Sequence, residues 1–396
     1  EADETLDVLL GALSAIDPTA ADDITVQGTG GTGTITNDDS ANLTIDDLTI
    51  AEGTGGGPTN FVFTVTLDND VQGGFNVAYT TNDGTATTAD ADYVDNDSSL
   101  AFTGTASETQ TITVQVNHDA KVEADETFDV LLGALSAIDP TAADDITVQG
   151  TGGTGTITND DSANLTIDDL TIAEGTGGGP TNFVFTVTLD NDVQGGLNVA
   201  YTTNDGTATT AEGDYVDNDS SVAFTGTASE TQTITVQVNH DGKVEADETF
   251  DVLLGALSAI DPTAADDITV QGTGGTGTIT SDDSANLTID DLTIAEGTGG
   301  GPTNFVFTVT LDNDVQGGLN VAYTTNDGTA TTADGDYVDN DSSLAFTGAA
   351  SETQTITVQV NHDAEVEADE TFDVLLGALS AIDPTAADDI TVQGTG

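Results

Sequence analysis

The chain has 396 residues, 36% of them hydrophobic and enough for buried cores, yet 71 Asp and Glu face two lysines, Lys121 and Lys243, and no arginine, for a net charge of −69. Such a balance excludes nucleic acid, whose binding needs cationic side chains to release counterions, and excludes anionic membrane surfaces by the same sign; the partners it favours are cations. Cysteine is absent, which removes disulfides and thiolate metal sites, and no apolar run approaches the roughly 18 residues of a membrane span.

The opening string EADETLDVLL (1–10) returns in near copies at Glu123, Glu245 and Glu367, a period of 122 residues. That is too long for a solenoid repeat or a propeller blade and suits an independently folding domain, so the chain reads as beads on a string. Copies this close point to recent tandem duplication. Domain limits belong in loops, and the polar TNDDSAN stretch at 36–42 and 158–164, with Ser281 in place of the Asn in the next copy, places them. The expected units are 1–39, the C-terminal part of a repeat; 40–161 and 162–283, complete repeats; and 284–396, a repeat lacking its last strand. Partial sandwiches expose edges and cannot close a core alone. The expectation is a window on a longer array, with strand donation between neighbouring molecules as the alternative.

Within 40–161 the strands follow in chain order. LTIDDLTI (43–50) opens the unit, and FVFTVTL (61–67) puts Phe61, Phe63, Val65 and Leu67 on one face, the period of a half-buried strand. FNVAYTT (75–81), LAF (100–102), TITVQV (111–116) and TFDVLL (127–132) repeat the alternation, followed by DITVQ (145–149) and GTGTIT (153–158). Turns rich in Gly, Asn and Asp separate them, and no long segment has a helical period. The fold class is therefore all-β: tandem immunoglobulin-like antiparallel β-sandwiches, one per 122-residue repeat.

The loop NHDAKVEADETF (117–128) joins two of these strands and gathers Asp119, Glu123, Asp125 and Glu126 at one end of the sandwich. Asp160 and Asp161 close the last strand, which an up-and-down order brings to the same end. Each close pair of like charges costs about 1 kcal/mol in water at 4 Å, and more when partly buried. Calcium offsets such repulsion and takes six to eight oxygen ligands from flexible loops. Zinc or copper would want His or Cys, of which the chain has three and none.

Five separated motifs, IAEG (50–53), YTTNDGTATTADADY (79–93), LAFTG (100–104), HDAKVEADETFDVLL (118–132) and GTGTITNDD (153–161), cover essentially the whole repeat. In this order they make each unit resemble a Calx-beta domain, the calcium-binding sandwich of sodium–calcium exchangers, some integrins and many large bacterial surface proteins. The resemblance implies Ca2+ held by a Glu after the first strand, the Asp of the DY pair, the D-x-x-x-E-x-D-E loop and the terminal Asp run. In the first complete unit these are Glu52, Asp92, Asp119, Glu123, Glu126, Asp160 and Asp161; in the second, Glu174, Asp214, Asp241, Glu245, Glu248, Asp282 and Asp283. The third offers Glu296, Asp336, Asp363, Glu367 and Glu370 without a terminal pair. His118 stands where the exchangers often carry an acid, and the terminal run has two Asp rather than three.

Plainer readings stand beside this one. Acid-rich, lysine-poor loops also keep halophilic proteins soluble, so an acidic surface fibre without specific calcium sites is the alternative, as is the stalk of an adhesin whose binding domain lies outside this sequence. His118, His240 and His362 read as exposed loop residues, and Asn42 and Asn96 as chance glycosylation sequons. GTGGTG (28–33) satisfies G-x-G-x-x-G but lies between strands with no helix after it, which fails that motif's structural context. No singular acid, base or nucleophile is present, so no enzymatic activity is expected. The expectation is an extracellular or cell-surface array, bacterial or archaeal, whose partners are copies of itself, end to end or laterally, with neither nucleic acid nor membrane insertion.

Overall fold

Alternation of apolar and polar residues becomes strand throughout the computed structural model, which describes residues 2–393 except 27, 29, 149, 151, 178, 271, 273 and 365. The chain opens with β1 (Glu4–Val8), a short helix α1 (Pro18–Ala21) and β2 (Gly31–Ile35), and β1 pairs with β2 antiparallel. The first complete unit follows: β3 (Ala41–Ile45), β4 (Leu48–Ala51), β5 (Thr59–Leu67), β6 (Phe75–Asp83), β7 (Tyr93–Val94), β8 (Ser98–Phe102), β9 (Thr109–Val116), β10 (Glu126–Ser136), α2 (Pro140–Ala143), β11 (Ile146–Val148) and β12 (Gly153–Thr158). Two five-stranded sheets result, in the orders β4-β12-β10-β6-β8 and β11-β3-β5-β9-β7. The second complete unit repeats both orders. Among the described residues no helix is long and apolar enough to cross a membrane.

Three details go beyond the sequence reading. LTIDDLTI is two strands, because Asp46 and Asp47 carry the chain from one sheet to the other: Asp46 accepts the Thr64 N–H at 2.6 Å, and Asp47 accepts the Thr154 N–H at 2.8 Å. The sandwich is antiparallel except at two edges, where β11 runs parallel to β3 and β12 parallel to β4. The order is thus not up-and-down: β12 reaches the ligand-bearing end by pairing beside β4. The strand read over 145–149 spans Ile146–Val148, with Gln149 outside the described residues, as is Thr29 of GTGGTG.

The core lies between the sheets and is organised by Phe128, which is fully buried. Tyr93 stacks on its ring at 4.7 Å between centroids, Phe61 tilts against it at 5.5 Å, and Phe63 meets it edge-on at 5.9 Å. Such pairs each contribute about 0.5–1.5 kcal/mol beyond area burial. Gly155 makes room for the ring, since a Cβ there would stand 2.5 Å from Phe128 Cζ. Unit 162–283 has an equivalent core around Phe250. In the third unit the two sheets have four and three strands, and LTIA (292–295) is not a strand.

Candidate metal centre

The strands that build the core also aim carboxylates past its edge. The inward parity of β10, burying Val130 and Phe128, continues back to Glu126; that of β12, burying Gly155 and Ile157, runs on to Asn159. Residues two apart share a face, so these side chains line a cavity beyond the strand ends. Asp92 precedes Tyr93, whose ring stacks on Phe128. The cavity is about 370 Å³ in unit 40–161 and also takes in Glu52, Asp119 and Glu123. Its counterpart in unit 162–283 is about 50 Å³.

Backbone hydrogen bonds set several of the ligand candidates. The Glu52 N–H donates to the Thr158 carbonyl at 3.1 Å, tying the end of β4 to the end of β12. Asp92 accepts the Thr87 N–H at 2.6 Å, Asp119 accepts the Lys121 N–H at 2.8 Å, and Asp160 accepts the Gly53 N–H at 3.2 Å.

Carboxylate oxygens then fall into two groups per complete unit, each with its members within 4.8 Å of one another. Glu52, Asp160 and Asp161 form one, and Asp92, Glu123 and Glu126 the other. In the next unit the groups are Glu174, Asp282 and Asp283, and Glu212, Asp214 and Glu248. Asp119 lies close enough to act on Glu52, Glu123 and Asp161, and Asp241 acts likewise on Glu174, Glu245 and Asp283. Glu212 was not among the expected ligands. The only signal was its replacing Asp90, one methylene longer and so able to reach Asp214 and Glu248.

In the third unit Glu296 is exposed, since the strand that would carry it does not form. Partial desolvation, then Asp336 and Asp334, raise the Glu370 carboxyl above its ordinary value. Among the described residues Glu296, Asp336, Asp363, Glu367 and Glu370 close no three-membered group.

Crowding shows in the proton affinities. Burial, then Asp119, Glu123, Asp161 and Asp160, push Glu52 up to about 7. Burial and Asp92 push Glu126 up to about 8, and Glu174 and Glu248 rise to about 7 by the same causes, burial and neighbouring acids. The Oδ2 atoms of Asp161 and Asp283 are buried with no hydrogen-bond donor. An oxygen-rich donor set, two lone buried carboxylate oxygens and acids driven toward protonation suit a hard divalent cation.

The ligand loop belongs to two units at once. Val122, between Lys121 and Glu123, is fully buried in the core of unit 162–283. It forms a parallel bridge with Val193, with Val122 N–H donating to the Asp192 carbonyl at 2.9 Å and Gln194 N–H donating to the Val122 carbonyl at 2.8 Å. Around it Gln194 Nε2 donates to Glu123 at 3.2 Å, and the Asp125 N–H donates to the Thr263 hydroxyl at 3.1 Å. Val244 repeats the bridge with Val315. Asn159 adds a strap across the junction, accepting the Glu123 N–H at 3.3 Å and donating to the Asp161 carbonyl at 2.9 Å and to the Asp267 carboxylate at 2.8 Å.

This architecture agrees with the family comparison, in which the Calx-beta domain matches residues 37–169, 157–285 and 280–393. The chain belongs to the Calx-beta family. Among solved structures, CBD12 from CALX1.2 is 20% identical, with 60% of this Calx-beta chain covering 98% of that one at a TM-score of 0.27. The calcium binding domain CBD12 of CALX1.1 is 19% identical, with 60% covering 99% at 0.28. The apo-form Calx CBD1 domain is 24% identical, with 31% covering 100% at 0.26. The comparison with curated proteins gave no match.

Proposed function

We propose that this chain is a calcium-binding structural array, a stalk or filament outside the cell, made rigid by Ca2+ at its loops and domain junctions. The observation that carries the reading is the ligand loop of residues 119–126. It holds Asp119, Glu123 and Glu126 on one unit while its Val122 is buried in the next. Glu52, Asp160 and Asp161 would hold one ion and Asp92, Glu123 and Glu126 a second, with Asp119 between them. Bound calcium would neutralise the carboxylates and order the loop, and an ordered loop presents Val122 in the position the next core requires. Without the ion, repulsion spreads the loop and the junction loosens.

Extracellular modules bind calcium at roughly 10⁻⁴–10⁻³ M, which suits a location outside the cell, and a chain with two lysines and no arginine offers few sites to trypsin-like proteases. The proposed role needs no enzymatic activity, and its partners are further copies of the same unit.

Small-angle scattering and thermal unfolding of the chain, in calcium and in chelator at matched ionic strength, test the proposal. Calcium should raise the melting temperature and lengthen the particle, by linkage of ligand binding to the folded state. An equal response to magnesium or to added sodium chloride would reduce the carboxylates to a solubility device.

A further inference from the structure

The large apolar side chains that the complete units leave exposed all lie on one sheet. Val62 is 44% exposed and Val94 47%, and with Val184 and Val216 in the second unit they are the only such residues among the described residues of 40–283. Val306 and Val338 hold the same places in the third unit and are exposed there too. The register sets the two valines on either side of β9, Val62 opposite Thr113 and Val94 opposite Gln115, with Thr64 opposite Thr111 beside them. All six share the outward parity. Although 18% of the chain is charged, strands β3, β5, β7, β9 and β11 contain no charged residue. The second and third units add only Glu230 and Glu352 at a strand end, accepting from the Thr225 and Thr347 N–H groups. The opposite sheet, by contrast, turns Asp129 outward from β10.

We propose that this charge-free sheet face is the surface through which two copies of the chain associate side by side. The inference rests on the array reading above and names the face it uses. Electrostatics choose the occupant. At a net charge of −69, two copies repel wherever carboxylates meet, and only faces without them approach closely. A cationic partner finds nothing to pair with here and binds the acidic loops instead. A sugar polymer needs rings to stack on, and Phe61, Phe63 and Tyr93 are all buried. A second copy brings the same neutral surface of valine and threonine, so a two-fold contact complements itself. Pairing by edges is closed off, since the edge strands β7 and β11 have only two and three residues. Five strands about 4.8 Å apart, the longest spanning about 30 Å, give a face on the order of 500 Å². A stable contact takes about 800 Å² from each partner, so one unit falls short and successive repeats act together.

Sedimentation velocity of the full chain tests the face. The barrier is repulsion between acids, so association should rise with protein concentration and with sodium chloride, which shortens the screening length from about 10 Å at 0.1 M to about 3 Å at 1 M. It should persist in chelator. Val62→Asp, Val184→Asp and Val306→Asp, introduced one, two and three at a time, should weaken association by about tenfold or more per unit. Val62→Thr, Val184→Thr and Val306→Thr keep a β-branched side chain; they should weaken it in the same order and carry the test where an aspartate disturbs the fold. Thr80→Asp, Thr202→Asp and Thr324→Asp place the same charges at exposed positions of the opposite sheet and should leave association as it is. A wild-type chain that stays monomeric at 1 M salt, or aspartates that act alike on both sheets, would overturn the proposal. Association through this face in a chain indifferent to calcium would sink the calcium reading alone, and a chain that calcium stiffens but that never associates would sink only the lateral contact.

Discussion

Replacing Glu52 and Glu174 by Gln should stabilise the metal-free chain at pH 8 while removing most of its response to calcium. Both side chains are buried, at 6% and 5% exposure, and both carboxyls are pushed from an ordinary 4.5 up to about 7 by burial and neighbouring acids. At about 1.4 kcal/mol per pH unit, keeping such a group ionised costs the fold on the order of 3 kcal/mol, and about 2 kcal/mol once screening by water in the open cavity is included. Below pH 4.5 the group is protonated in both the folded and unfolded chain, so the cost is absent. Between 4.5 and 7 the unfolded chain releases a proton that the fold retains, so stability falls as pH rises, and above 7 the whole cost is present. The amide keeps the shape and removes the charge. Differential scanning calorimetry at pH 8 in chelator should show the transitions of these two units about 6 °C higher than in the wild type, with the difference vanishing near pH 4. In calcium the order should reverse, because the variant has lost one ligand per ion. A variant that melts lower than wild type in chelator and keeps its full calcium increment would refute the reasoning, since the carboxylate would then serve the fold and not an ion.

Two further substitutions address the junctions. Val122→Ala removes two buried carbons from the neighbouring core at a cost of about 2 kcal/mol; spin labels on either side of the junction should give a broadened distance distribution, and an unchanged one would show that the valine does not set the junction. Ser281→Asn supplies at its own junction, where the Ser281 hydroxyl is buried without a partner, the strap that Asn159 makes at the preceding one; a gain of about 1 kcal/mol should appear as slower hydrogen exchange in residues 281–286, and unchanged exchange would show that the strap carries no stability.

Much of this protein was legible because its core strands alternate cleanly: Phe61, Phe63, Val65 and Leu67 fall on one face in the sequence and are fully buried in the structure. The carboxylates were legible as a loop cluster, but their division into two groups was not. That division depends on which strand ends become neighbours, and it was set by the parallel pairing of β12 with β4, which no local pattern announces. The destination of Val122 was also hidden. One valine among Asp119, Lys121, Glu123 and Asp125 reads as a stray apolar residue in a polar loop, and only the neighbouring unit supplies the cavity that buries it.

The third unit contrasts with the two complete ones. Its ligand loop differs from the first unit's only in Glu365 for Lys121, and Val366, the counterpart of Val122 and Val244, is fully exposed. Glu296 is exposed as well, and LTIA before it is not a strand. In the two complete units a closed sandwich places Glu52 and Glu174 beside their terminal aspartates, and the following unit buries the loop's valine. On the proposed reading the loop serves both, so the charge state of one unit's carboxylates would act on the packing of the next. In a chain of near-identical repeats that coupling would recur from junction to junction. A small preference for the ordered loop, repeated along the array, would then set the stiffness of the whole.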